Sequence, residues 1–269
     1  MTTEPSPRAF VDTHVHLDDD QFVDDVDDVL DRARIAGVNH VINIGYSPAR
    51  WATSMRLAAR HPMVSYTLGV HPNHANEWNA ATSAELESLL DTTRAVAVGE
   101  IGIDLYRDGV PLAVQRKVFD AQLRLAAQQG LPVVIHQRAA EAEVIDVLSR
   151  MSPSLMCVFH SFEGSARLAQ FGQDRGYFFG IGGLMTRQGS AALRDVLSRI
   201  KCDRLLLETD SPYLIPAGVK NRRNEPANIP LIAEKLADLR SISISEVQRI
   251  TTINAHQVFG LPAGSSTAR

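Results

Sequence analysis

The stretch FVDTHVHLD at 10–18 ends an apolar run in two histidines, His14 and His16, with one residue between them. Extended backbone sends alternate side chains to the same side, so both imidazoles face one way. Four more groups able to bind a metal close other short apolar runs: Glu100, His136, His160 and Asp210. A single histidine in such a place is ordinarily satisfied by a backbone partner. Four imidazoles and two carboxylates in the same register would be a costly set to desolvate unless a cation offset them. Six donors exceed what one tetrahedral ion takes. Two divalent ions fit the inventory better, with His14, His16 and Asp210 on the first, His136 and His160 on the second, and Glu100 between them. Ring nitrogens favour zinc or another transition metal while carboxylates suit magnesium or manganese, so Mg2+, Mn2+ and Zn2+ all remain open.

Water held by such a pair of dications loses a proton near neutral pH and becomes a nucleophile. Glu100 and Asp210 are the expected catalytic carboxylates, with Asp210 accepting a proton or orienting the nucleophile besides ligating. Ser161 and Ser211 adjoin ligands, but neither has a base free of metal duty, so covalent catalysis is not expected. His71, in GVHPNHA at 69–75, is expected to face the substrate, and His74 either joins it or sits exposed on a loop. Asp104 and Tyr106 follow Glu100, and Asp104 either caps local backbone or orients a ligand imidazole. Arg138 stands two residues past His136, and KNRRNEP carries Lys220, Arg222 and Arg223 into the loop after Asp210. The guanidinium fork matches phosphate oxygens, so Arg138 and Arg222 join His71 as expected contacts to an anionic substrate.

Distant residues meet only if the backbone brings strand ends together. Strand-like runs occur at 10–14, 39–44, 65–70, 94–100, 131–136, 155–160, 176–181 and 204–209, several of them continuously apolar, as parallel strands covered on both faces are. Helical stretches lie at 21–36, 49–60, 83–91, 112–129, 139–150, 165–174 and 189–199, with two more at about 227–239 and 244–256. This alternation predicts a (β/α)8 TIM barrel with an extra C-terminal helix, and a barrel collects all its strand ends at one mouth. An open doubly wound sheet is disfavoured by the lack of a G-x-G-x-x-G turn after the first strand; GIGG at 180–183 follows the seventh. At 269 residues the chain fits one domain, expected over 9–262, with flexible tails at 1–8 and 263–269.

Other classes are set aside on composition. No apolar run approaches the roughly 18 residues a membrane span needs. Cys157 and Cys202 sit inside apolar runs, as reduced structural thiols do, which suits a cytoplasmic protein. The net charge of -4 argues against a broad electrostatic grip on nucleic acid, and no aromatic ladder is evident, so tight sequence-specific DNA binding is not expected. A monomer is the default.

The chain resembles the TatD family of metal-dependent deoxyribonucleases, within the wider amidohydrolase-like barrels. The resemblance rests on FVDTHVHLD, GVHPNHA, AVGEIGIDLY at 97–106, PVVIHQR at 132–138, FHSFEGS at 159–165, LLETDSPYL at 206–214 and NRRNEPANI at 221–229, and it reaches NAHQVFGL at 254–261. It implies a TIM barrel, a divalent-metal centre and hydrolysis of DNA phosphodiesters, often from a 3′ end, with single strands or 3′ ends as substrate. It also implies His14, His16, Glu100, His136, His160 and Asp210 as ligands, and His71 and Arg138 near the scissile phosphate. The chain departs from the family pattern at Asn73, where histidine is common, at Ala140, where an acid is frequent, and at Ser161 and Glu163, where cysteine and threonine are frequent. The main alternative keeps the metals and changes the substrate to an amide, ester or lactone. A binding module without activity would leave the ligand set without a purpose.

Overall fold

A computed structural model of the chain describes residues 9–261. The tails expected at 1–8 and 263–269, and residue 262 of the expected domain, lie outside them. Eight strands form one sheet in sequential order: β1 Phe10–Val15, β2 Val38–Gly45, β3 Val64–Leu68, β4 Ala97–Asp104, β5 Val133–Arg138, β6 Cys157–Phe159, β7 Phe178–Ile181 and β8 Leu205–Leu207. Helices follow them in turn: α1 Val26–Ile35, α2 Pro48–Arg60, α3 Ala80–Thr92, α4 Leu112–Gln129, α5 Glu141–Ser149, α6 Ala166–Arg175, α7 Ala191–Leu197 and α8 Ile229–Arg240. The architecture is the expected TIM barrel, and α9, Ile244–Phe259, is the extra C-terminal helix.

The chain divides into two compact units, one of Met1–Ile42, Ser161–Gly164 and Phe179–Arg269, the other of Asn43–His160 and Ser165–Phe178. In the first unit, β1 lies beside β8, joined where Val15 bridges Ser211 in parallel. Helix α9 anchors both strands at their starts. Asn254 donates to the carbonyls of Cys202 and Leu205 at 2.9 and 2.8 Å, and Thr252 donates to that of Ala9 at 2.6 Å. In the second unit, β3, β4, β5 and β6 pair in parallel. Every residue of β4 is buried, which is why its sequence lacks polar alternation.

The two largest departures from the expected boundaries have local reasons. Helix α1 begins at Val26 rather than residue 21, because Asp19 accepts the amide of Gln21 at 2.9 Å and a pair of turns runs through buried Phe22 to Asp25. Strand β4 runs on to Asp104 rather than ending at Glu100. Its register against β5 shifts between Val98 and Ile101, then resumes with Gly102 opposite His136 and Asp104 opposite Arg138. Gly102 makes that approach possible, since a β-carbon there would lie 1.9 Å from the carbonyl oxygen of His136. The GIGG stretch has a similar use: a β-carbon on Gly180 would lie 2.0 Å from the Glu208 carboxylate, and one on Gly183 would lie 2.1 Å from the Leu214 carbonyl. These glycines admit the β8 segment; they do not form a dinucleotide turn.

Candidate metal centre

In the unit that holds β1 and β8, His14, His16 and Asp210 come together. His16 Nε2 is 3.2 Å and His14 Nε2 3.7 Å from the same oxygen of Asp210, and the two imidazole rings lie 5.1 Å apart. Both histidines are buried. Asp210 reaches them from a left-handed backbone conformation, φ 56°, which aspartate tolerates better than most residues. Asp12, fully buried two residues before His14, holds that backbone. It accepts from the Thr209 amide at 2.9 Å, from the Thr209 hydroxyl at 2.5 Å and from the His14 amide at 3.3 Å. The Asp210 amide in turn donates to the His14 carbonyl at 2.9 Å. Burial pushes the Asp12 carboxyl well above the usual carboxylate range against the pull of those donors. Glu208, also buried, accepts the amide of Ser161 at 2.5 Å within the same unit.

In the other unit, Glu100 is a buried carboxylate ringed by imidazoles. Its Oε1 lies 2.7 Å from His136 Nδ1 and 3.7 Å from the Nε2 atoms of both His71 and His160. The other ring nitrogen of His136 meets Asp104 at 3.1 Å. Burial opposes charge on His136, but Asp104 and Glu100 outweigh it and push the imidazole up to about 9. Burial likewise opposes the Asp104 carboxylate, yet His136 and the Tyr106 and Arg107 amides hold it far below the ordinary range. Asp104 therefore does both things its position allowed. One oxygen caps the turn through those two amides at 2.9 and 3.0 Å, and the other orients an imidazole.

His71 is set as a donor. Its Nδ1 accepts the Asn73 amide at 3.1 Å, so the neutral ring carries its proton on Nε2, the atom that faces Glu100. Burial, with His136 nearby, lowers its pKa to about 3 and keeps it neutral. The substitution at Asn73 leaves this arrangement intact, because only its backbone takes part. His74 sits half-buried in a short 3-10 helix, Pro72–Glu77, and pairs with Glu77 at 2.6 Å.

Helix α4 supplies two supports that the sequence reading passed over. Gln122 accepts the Val70 amide at 2.7 Å and donates to the Val70 carbonyl at 3.0 Å, clamping the residue before His71. Gln115 clamps Asp104 in the same way, at 2.8 and 3.0 Å. The signal was present as two glutamines seven residues apart on an otherwise apolar helix face. Asp12, Thr209 and Glu208 were missed as well, because they sit beside candidate ligands and look like spacers.

The basic residues divide. Arg138 lies with its guanidinium carbon 3.8 Å from the centre of the Tyr106 ring. Arg222 is exposed. Arg223 is built into the fold, paired with Asp25 at 2.5 Å and Glu225 at 3.0 Å and stacked over Phe22, so it is not available as a phosphate contact.

The donor set fits divalent metal. Ligand atoms of Glu100 and His136 lie 2.7 Å apart, and the protonated Nε2 of His71 faces the same carboxylate at 3.7 Å. His136 can also give one nitrogen to a cation while Asp104 keeps the other, the carboxylate–histidine arrangement common around bound metals. Among the described residues no helix is long and apolar enough to cross a membrane.

A model of the TatD related DNase family matches residues 11–260. The 3'-5' ssDNA/RNA exonuclease TatD of Edwardsiella piscicida is 40% identical over 258 residues, covering 93% of this chain and 99% of that protein. The uncharacterized metal-dependent hydrolase YabD of Bacillus subtilis (strain 168) is 31% identical over 249 residues, with 92% and 98% covered. Among solved structures, YjjV, a TatD homolog from Escherichia coli K12, matches with a TM-score of 0.90 at 31% identity, covering 96% of this chain and 100% of that one.

Proposed function

Because the chain belongs to the TatD related DNase family and is a metal-dependent hydrolase, we propose that it shortens single-stranded DNA from the 3′ end. The observation that carries this reading is the buried Glu100 carboxylate facing three imidazoles, a donor set suited to cations. His14, His16, Glu100, His136, His160 and Asp210 are the proposed ligands of two divalent ions. When bound, the ions supply positive charge to the phosphodiester and make water a better nucleophile near neutral pH.

The chain's own residues do the rest. Asp210 takes the proton of the attacking water, at the end of a backbone pinned by Asp12. His71, kept neutral with its proton on Nε2, donates to a phosphate oxygen. Arg138 offers a guanidinium edge to the substrate backbone, and exposed Arg222 adds charge further out. Water attacks phosphorus, one P–O bond breaks, and the leaving oxygen is protonated. RNA is the natural second substrate to try, since the Edwardsiella relative is named for both.

A 5′-labelled single strand incubated with Mg2+, Mn2+ or Zn2+ should yield a ladder shortening from its 3′ end, abolished by chelator and by the double substitution Glu100→Ala/Asp210→Ala. Equal degradation by the variant and the unsubstituted protein would sink the proposal. Ester and lactone substrates assayed in parallel test the carbonyl alternative.

A further inference from the structure

Tyr106 is a large aromatic residue left 67% exposed, immediately downstream of the Glu100 strand. Its position is nevertheless fixed. The Tyr106 and Arg107 amides both donate to one oxygen of Asp104, whose other oxygen meets His136. The Arg138 guanidinium covers one face of the ring, 3.8 Å from its centre. Arg138 is itself anchored, since its carbonyl accepts the Leu105 amide at 2.9 Å and it lies opposite Asp104 in the β4–β5 register. Among the described residues Arg138 forms no ion pair, so its N–H edges are not consumed by a carboxylate.

An aromatic ring with one face held and the other in water, beside a guanidinium with free edges, is what single-strand binding uses. The ring takes a base face, whatever the base, and the cation takes the phosphate next to it. We infer that Tyr106 is a stacking platform for one unpaired nucleobase of the bound strand, with Arg138 locked behind it as the contact to the adjoining phosphate. The inference rests on the nuclease reading above and adds to it the residue that holds a base of the strand. In a duplex both faces of a base are already stacked, so the platform selects a frayed or single-stranded end. One platform gives one stacked base, which agrees with the lack of an aromatic ladder along the chain.

The alternative is that the Tyr106–Arg138 pair only stiffens a loop. Fluorescence anisotropy separates the two, using a labelled phosphorothioate-linked oligothymidylate that resists hydrolysis and the same backbone without bases, both with Mn2+. The unsubstituted protein should bind the thymidylate about 5-fold to 100-fold more tightly than the abasic strand. Tyr106→Leu should lose that discrimination, and Tyr106→Phe, which keeps the ring and the stack, should retain it. On cleavable single-stranded DNA, Tyr106→Leu should raise KM with little change in kcat. The inference is overturned if Tyr106→Leu still distinguishes the two strands as the unsubstituted protein does, or if Tyr106→Phe loses the distinction, or if the unsubstituted protein binds both strands equally. Failure of the nuclease reading appears elsewhere, as an unsubstituted protein that leaves natural single strands intact with every metal.

Discussion

Asp12 is a buried carboxylate that holds the backbone beside two of the proposed metal ligands, His14 and Asp210. Its carboxylate accepts from Thr209 twice and from His14 once, so it sets the positions of the backbones that carry His14 and Asp210. Asp12→Ala would leave two buried amides without an acceptor, a cost of about 3 kcal/mol. Loss of such a support around a ligand commonly lowers metal affinity about 10- to 100-fold. Urea unfolding and a titration with Mn2+ followed by its paramagnetic resonance should register both effects. An unaltered Mn2+ affinity would confine Asp12 to a structural role. Arg223 is the opposite case: it stands beside Arg222 in the basic run KNRRNEP, yet its charge is engaged by Asp25 and Glu225.

At the level of elements, the β4–β5 pair and helix α4 form the frame of the Glu100 cluster. Gly102 has φ 150° and no room for a β-carbon against the His136 carbonyl. Gly102→Ala must therefore push β4 away from the strand that carries His136. Overpacking of this kind costs about 1–3 kcal/mol and the backbone conformation adds a similar amount. A fall of less than about 1 kcal/mol in urea unfolding would contradict the tight approach. Gln122→Ala removes both halves of the clamp on Val70 and should cost about 2 kcal/mol. Since His71 is the next residue, the same variant should raise KM for single-stranded DNA, whereas Gln122→Glu keeps the acceptor for the Val70 amide and should lose less.

For the whole molecule, two measurements address the folded state directly. A ligand that binds the native chain alone stabilises it by about 2.7 kcal/mol at a hundred times its Kd, so saturating divalent metal should raise Tm by about 5–10 °C and chelator should reverse the gain. A Tm indifferent to Mg2+, Mn2+ and Zn2+ would contradict the metal centre. His40, away from that centre, governs part of the acid limb. Burial, with His256 adding to it, lowers the His40 pKa from 6.5 to about 4. The unfolded chain then binds a proton that the folded chain refuses, so stability is full above pH 6.5 and falls as pH drops toward 4. Replacing His40 with Gln should flatten the stability slope in that window by about one proton. An unchanged slope would show that His40 ionises alike in both states.

The sequence alone determined the alternation of elements, because hydrophobic runs and helical periodicity are local patterns: α4 over Leu112–Gln129 matches its expected bounds, and the strand-end histidines and carboxylates mark themselves by breaking apolar runs. It also carried the family, through motifs spread along most of the chain. Only the tertiary structure decided what surrounds each of those groups. That Asp104 serves both a turn and His136, that two glutamines grip the backbone beside His71 and Asp104, and that Arg223 is spent on Asp25 are facts of long-range geometry. The reason is physical: a backbone pattern is written in neighbouring residues, whereas the partner of a buried polar group is chosen by whichever distant strand or helix packs against it.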